Sequence, residues 1–489
     1  MNDVRLKALE KVIRSAVLLI CLAALLLTCL QILGRGYSPV DDALRHVAKV
    51  ISGKEWQDIL VVRKEITMDS HPGWHFILKQ VSRLTRPDST LLLNFSVLFM
   101  FLLFVLPPVF LFNRPEAWIL SLLIFSIFSF VTMYRLFYGR PFIFSMVLVL
   151  AFCFLWTKIR DKKAPVAELA VFAVLSALST WIHGAWYLLA LPICALCLTR
   201  QWRVSALMTA AMAVGILLGA TFTGSPLTFL HQMIYHALQA MGHIDFERQL
   251  VSEFQPFDGA PAVVTVVAAM LIWRTARGQW SNDCVDNPIF ILGVLCWVLG
   301  FVAARFWSDW GWPAVAFWTA VEIEGVMKRR LREFEPRRLV VAVAVCLSLF
   351  LGLNNDRGSR WTGMIGVQWP NMSTAEQRPW LPEPEGILYS DRMDVFYSIF
   401  YNNPHGEWKY DLGFEPVWMP DEDLKIYRNI ELTRGKPASY APWVEKMTQK
   451  DRLVLVRQEP PKIEGLEWHE VTPTVWSGRL LAGQEQSTR

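Results

Sequence analysis

The chain is 489 residues long, 53% hydrophobic and positive in mean hydropathy (+0.31), with a net charge of only +5. Apolar runs close to the roughly 17–25 residues that cross a bilayer recur along it, and Trp (22) and Phe (30) are abundant, as on lipid-facing and interfacial surfaces. This composition excludes a soluble globular enzyme, leaves no nucleic-acid partner expected, and predicts an all-α polytopic membrane bundle.

The first apolar run, 13–34, follows Arg5, Lys7, Lys11 and Arg14 and has no small-residue cleavage site. It reads as a retained anchor with its N-terminus in the cytoplasm. A long outward loop, 35–90, comes next. Within it "DDALRHVAKVI" puts Leu44, Val47, Ala48 and Ile51 on one helical face, and "PGWHFILKQVSRL" does the same with Trp74, Ile77, Leu78 and Val81. Both are expected to be amphipathic helices lying at the membrane surface.

Ten further spans are expected at 91–112, 116–133, 141–157, 166–182, 185–199, 204–223, 260–273, 288–304, 312–327 and 339–354, about eleven in all. Charge sets their orientation. "KIRDKK" (158–163), Arg200, Arg203, Arg274, Arg277 and "KRRLREFEPRR" (328–338) fall on one side, while the short opposite loops hold only Arg135, Arg140, Arg248 and Arg305. The long first loop carries nine Lys or Arg, but long loops are translocated largely regardless of charge. All eight cysteines lie in spans or in one cytoplasmic loop, so no disulfide is expected, and Cys194-x-x-Cys197 reads as helix packing.

The tail, 355–489, is net −4 against +9 for the rest. "GILYSD" and "DRLVLVRQ" read as short strands and "MPDEDLKIYRNI" as a short helix, giving a small soluble α/β domain outside the membrane. The expected division is therefore a membrane domain over 1–354 and an extracytoplasmic domain over 355–489.

Candidate chemistry collects on the outward side. Asp41 and Asp42 open a helix after Ser38-Pro39, where acids are favoured by the helix dipole. One acid suffices for that, and Arg45 and His46 follow one turn later. In "MDSHPGWHF", Ser70 is a candidate helix cap with Pro72 in the first turn, and His71 and His75 are spaced to share a face as metal ligands, though no third ligand is nearby. Arg140, His183 in "STWIHGAWYL", His231, His236 and Arg305 are outward cationic or hydrogen-bonding groups. Interfacial snorkelling and buried polar contacts are the competing roles for them. "HQMIYHALQAMGHIDFERQL" (231–250) reads as an interfacial helix. "ARFWSDWGWP" places Arg305 and Asp309 among three Trp that either stack on sugar or form an aromatic belt.

The acid pair after the first span, Arg45 and Ala48 behind it, Trp56 in "GKEW", and His71-Pro72 before an aromatic helix together resemble the GT-C superfamily of membrane glycosyltransferases. The likeness is to the aminoarabinose transferase and protein mannosyltransferase branch. There, Asp-Glu is followed by Arg-Tyr-Ala and then by Lys-Pro-Pro or His-Pro-Pro. Here Gly73 replaces the second proline, His46 stands where an aromatic is usual, and Ser145 sits where an acid often follows Arg140. The match is detailed over roughly the first 150 residues and topological beyond.

The resemblance implies transfer of a sugar from a polyprenyl phosphate or diphosphate at the outer face of a bacterial inner membrane, to a lipid, glycan or protein acceptor. It implies Asp41 as base and Asp42 as an orienting group. Arg45, Asp69, His71, His75, Arg140, His183, Arg305 and Asp309 would bind substrate, and a divalent cation (Mg or Mn) at Asp41 and Asp42 stays open. A polysaccharide polymerase or ligase is the near alternative. A transporter would require mid-span ionisable groups or paired broken helices, and a structural assembly subunit would need no acid pair.

Overall fold

The computed structural model describes residues 3–85, 88–242, 252–278, 286–331 and 335–481. All eleven apolar stretches are helical, because a backbone in lipid must satisfy its own hydrogen bonds. Six of these helices are long and apolar enough to cross a membrane: Lys7–Gly34 (within Asp3–Gly34), Ser89–Leu111, Phe142–Ile159, Val166–His183, Trp202–Thr221 and Arg337–Asn354. The pair Pro115–Phe128 and Phe130–Phe137, bent by 117°, is a seventh if it counts as one broken span and otherwise a re-entrant loop. Trp186–Leu198, Pro261–Ala276 and Pro288–Gly300 are apolar but shorter. The 312–327 stretch lies in Trp312–Arg330, which ends in Lys328, Arg329 and Arg330. Among the described residues, then, six or seven helices have spanning length, against about eleven expected.

Two contacts illustrate how the bundle is held. Arg338 Nε donates to Glu116 at 2.6 Å with both side chains fully enclosed, joining the Arg337–Asn354 and Pro115–Phe128 helices. The Val166–His183 and Trp202–Thr221 helices approach backbone to backbone through Gly215 and Gly219, four apart on one face. A Cβ on Gly219 would sit 2.3 Å from the Ala177 carbonyl oxygen.

The tail carries a five-stranded sheet in the order β2-β1-β3-β5-β4. Its strands are β1 (Ile387–Tyr389), β2 (Lys409–Tyr410), β3 (Arg452–Val456), β4 (Leu466–Thr472) and β5 (Val475–Leu480). β1 pairs in parallel with β2 and β3, whereas β5 runs antiparallel to β3 and β4. Both sequence-read strands and the Asp421–Leu432 helix are present. The Met393–Asn402 helix and the β4–β5 hairpin went unread.

The first loop is not a free surface element. Trp56, Ile59, Leu60 and Ile66 share one apolar core with Phe396, Phe400, Tyr410, Phe414 and Trp418 of the tail. Val61 N–H donates to the Tyr410 carbonyl and Arg63 N–H to that of Trp418, both at 2.9 Å. The Asp42–Ser52 helix packs against the Pro72–Thr85, Ser89–Leu111 and Met393–Asn402 helices, and eight of its residues are buried, including Arg45, His46 and Lys49. The membrane-surface expectation for this helix is therefore corrected. Its apolar face meets protein, and its polar face meets the site described below.

Gly219→Ala should force the two helices apart and cost about 1–3 kcal/mol, read as a melting temperature several degrees lower in detergent. Gly352→Ala, with nothing within 4 Å of its Cβ, should leave it unchanged or slightly raised.

Candidate active site

Several chain segments converge on one cavity of about 240 Å³. Its walls come from the start of the Asp42–Ser52 helix, the 135–142 turn, the Ser252–Phe254 turn with Arg305, and the tail residues Tyr397, Phe414 and Glu415. A lattice of acids and guanidinium groups binds four of them together: the first loop, the 135–142 turn, the Ser252–Phe254 turn and the segment with Arg305 and Asp309. Arg140 donates to Asp42 Oδ2 at 2.7 Å and to Glu253 Oε1 at 3.0 Å, and its Nη1 lies 3.6 Å from Asp41 Oδ2. Arg45 Nε donates to the other Asp42 oxygen at 2.6 Å. Arg135 bridges Glu253 at 2.9 Å and Asp309 at 2.6 Å. Arg305 is looser, 3.4 Å from Asp309 and 3.7 Å from Glu253.

The two adjacent acids thus have different fates. Burial would raise Asp42, but Arg140 and Arg45 outweigh it and hold the carboxyl well below the usual range. With both oxygens occupied, Asp42 is an ionised anchor. Asp41 is the N-cap residue yet makes no capping hydrogen bond, and its buried Oδ1 has no partner among the described residues. Burial lifts it to about 6 against the pull of Arg140. Unlike Asp42 it lines the cavity with a carboxylate that no close ion pair consumes, as a proton acceptor requires. Guanidinium groups from Arg135, Arg140 and Arg305 hold Glu253 low despite its burial.

Behind this cavity is a second cluster. Asp69 accepts from Trp56 Nε1 at 3.2 Å and the His71 backbone N–H at 3.0 Å, and pairs closely with His75 Nδ1. His75 Nε2 lies 2.8 Å from His46 Nδ1. These bonds hold Asp69 low against its burial. Burial and Arg45 push His71 well below the ordinary imidazole value, so it is neutral. Ser70 bonds the His71 ring at 2.8 Å, and the helix starts at Pro72; Ser70 is therefore not its cap. Gly73 cannot be the expected proline, because even a Cβ there would lie 2.6 Å from the Trp181 ring.

His71 and His183, the latter 2.7 Å from Ser145 Oγ, form a shared wall with Phe254, Arg305 and Glu415. Beyond that wall is a second cavity of about 170 Å³, lined largely by apolar side chains including Leu188, Met233, Phe306, Trp310 and Trp418. His236 also lines it, with its buried Nε2 lacking a partner among the described residues. Polar and apolar chambers therefore meet at Arg305 and Glu415.

Several sequence readings need correction. Trp307, Trp310 and Trp312 are packed in the core and do not form an interfacial belt. Asp309 anchors Arg135 and does not line either cavity. Asp69 and His75 stand behind His71, away from both cavities. Residues 243–250 of the 231–250 segment, with His243, Asp245, Glu247 and Arg248, lie outside the described residues, as does Cys284. A divalent cation at Asp41 and Asp42 does not fit, because the guanidinium groups already occupy Asp42. No group of three or more His, Cys, Asp or Glu side chains suited to a metal occurs among the described residues. No step below is routed through one. Arg135, Glu253, Tyr397, Phe414 and Glu415 were missed.

A helical bundle with an acid pair at the start of its long first loop and a small sheet domain closing the site has counterparts among solved structures. The solved structure of ArnT from Cupriavidus metallidurans bound to undecaprenyl phosphate is similar over 96% of this chain and 99% of that one, with a TM-score of 0.55 and 12% identity. ArnT from the same organism in the apo state gives 0.54 and 13%, covering 96% and 98%. The Archaeoglobus fulgidus oligosaccharyltransferase in complex with Zn and sulfate aligns more weakly, at 0.49 and 11% over 88% and 67%, and nothing below rests on it. At such identities the likeness is one of fold. No family model matches the sequence, and no curated protein matches it.

Arg140→Ala removes the one side chain that links Asp42 to Glu253. It should cost about 3 kcal/mol by leaving buried charge under-compensated, seen as a lower melting temperature. Arg140→Lys should restore only part of this, because one ammonium cannot reach both carboxylates in the planar fork geometry.

Proposed function

We propose that this chain is a GT-C-type glycosyltransferase that moves a sugar from a polyprenyl phosphate or diphosphate donor to an acceptor at the outer face of a bacterial inner membrane. The observation that carries the reading is Asp41, a carboxylate lining the polar cavity at the edge of an arginine lattice, in a cavity that shares a wall with an apolar chamber. The fold shared with ArnT, solved with undecaprenyl phosphate, supports the same donor class.

In this mechanism Asp41 takes the acceptor's proton as the acceptor oxygen or nitrogen attacks the anomeric carbon. The departing phosphate gains charge and requires a cation already in place. Arg305 is suited to that task, since it lines both chambers and its own ion pairs are long. Arg45 and Arg140 are committed to Asp42 and keep the cavity wall in position. The lipid chain would lie in the apolar chamber. Polymerase or ligase chemistry would use the same groups on a longer acceptor.

The cytoplasmic N-terminus and the extracytoplasmic 355–489 domain are part of this proposal, supported by the charge asymmetry. A reporter fused after residue 380 should work only outside the cytoplasm and one at 335 only inside; the reverse would place the site on the wrong face.

Asp41→Asn keeps the shape and removes the proton acceptor. Transfer should fall by roughly 10²–10⁴ while undecaprenyl phosphate still binds and the melting temperature holds. In the parent protein kcat/KM should decline as pH drops through about 6, where Asp41 becomes protonated. Normal transfer by Asp41→Asn would remove the acid pair from the mechanism.

A further inference from the structure

The tail domain does more than cover the site. Phe414 lies flat on the Arg45 guanidinium, 3.5 Å from ring centroid to carbon, so the domain touches the acid lattice directly. Two other tail side chains, Tyr397 from the Met393–Asn402 helix and Glu415 next to Phe414, line the acid cavity. Their polar ends differ from those of the ion-paired residues there. Asp42, Glu253, Arg135 and Arg140 are each tied to partners. Among the described residues neither the Tyr397 hydroxyl nor the Glu415 carboxylate has a hydrogen bond or an ion pair.

Polar groups that face a cavity cost little while water fills it. Once a ligand expels that water, each must be satisfied by the ligand or its desolvation is uncompensated. A matching ligand must offer hydrogen to a carboxylate and accept or donate at a phenol. Alcohol groups do both. A phosphate would be repelled by Asp41 and Glu415, and an apolar chain would leave both groups unsatisfied. Glu415 also lines the apolar chamber next to Arg305, so a polyol lying between Tyr397 and Glu415 would keep its phosphate at Arg305.

We propose that Tyr397 and Glu415 are specificity-determining residues through which the tail domain reads hydroxyl groups of the sugar being transferred. This rests on the glycosyltransfer reading above. It gives the 355–489 domain a role in choosing the substrate, distinct from the chemistry assigned to Asp41. Burial lifts Glu415 to about 7 against the pull of Arg305, so near neutrality it is available as either acceptor or donor.

The test is a matrix of enzyme variants against sugar analogues. The full-length protein in detergent, Tyr397→Phe and Glu415→Gln are assayed with undecaprenyl-phosphate-linked hexoses and pentoses, and with the monodeoxy forms of whichever sugar is transferred. One hydroxyl should matter about 5–10-fold in kcat/KM to the parent and not at all to Tyr397→Phe, the scale of one neutral hydrogen bond. A second should matter about 10–100-fold to the parent and much less to Glu415→Gln, the scale of a bond to a charged group. Melting temperatures should match the parent's, because neither substitution breaks a bond within the protein. If both variants keep the parent's ranking across the deoxy series, the two residues do not read the sugar and the inference is overturned. If the parent transfers no member of the panel and Asp41→Asn is indistinguishable from it, the glycosyltransfer reading itself fails.

Discussion

Arg140 holds two carboxylates from distant parts of the chain, Asp42 from the first loop and Glu253 from a turn more than two hundred residues later. Around it Arg45, Arg135 and Arg305 extend the same lattice to Asp309. Buried charges at the edge of a membrane bundle are costly unless paired, because an unpaired one carries its desolvation cost. The pairing fixes where the four segments meet, and the cavity is the space left between them. It also sets the two adjacent acids apart. Asp42 is consumed by the lattice; Asp41, one residue earlier, is left with an oxygen to spare.

The second constraint is the shared core of the first loop and the tail domain. Trp56, Leu60 and Ile66 are covered only because Phe396, Phe414 and Trp418 come from the other end of the sequence. Burying side chains of this size is worth roughly 1.5–3 kcal/mol each, so the two regions are stable together. The consequence for the site is direct. The helix that starts at Asp42 is clamped by the Met393–Asn402 helix, and Arg45 is covered by Phe414. The small domain is thus a wall of the cavity as well as a structural partner.

How much of this could be read from the sequence follows from the range of each interaction. Apolar runs are local, so every apolar helical stretch of the bundle was legible, while six or seven of the eleven have spanning length, since 116–133 bends and 288–304 ends at Gly300. The acid pair, Arg140, His183 and Arg305 were legible because each is a polar residue in an otherwise apolar outward segment. Glu253, Tyr397 and Glu415 were not, since only folding brings them to Asp41. The Asp42–Ser52 helix was misread as interfacial for the same reason: its pattern shows an apolar face but cannot say whether lipid or the tail covers it. The Trp residues of "FWSDWGW" likewise look like a belt until the packing around Asp309 is seen.

In the proposed function the acid cavity and the apolar chamber form one site for a polyprenyl-linked sugar, with Asp41 at the reacting end. A cryo-EM structure of the full chain with undecaprenyl phosphate tests it most directly. The phosphate is expected within hydrogen-bonding distance of Arg305 and the isoprenoid chain between Leu188, Met233 and Trp418, leaving the Asp41 carboxylate facing the polar cavity. A phosphate bound away from this cavity, with Arg305 still turned only to Asp309 and Glu253, would contradict it.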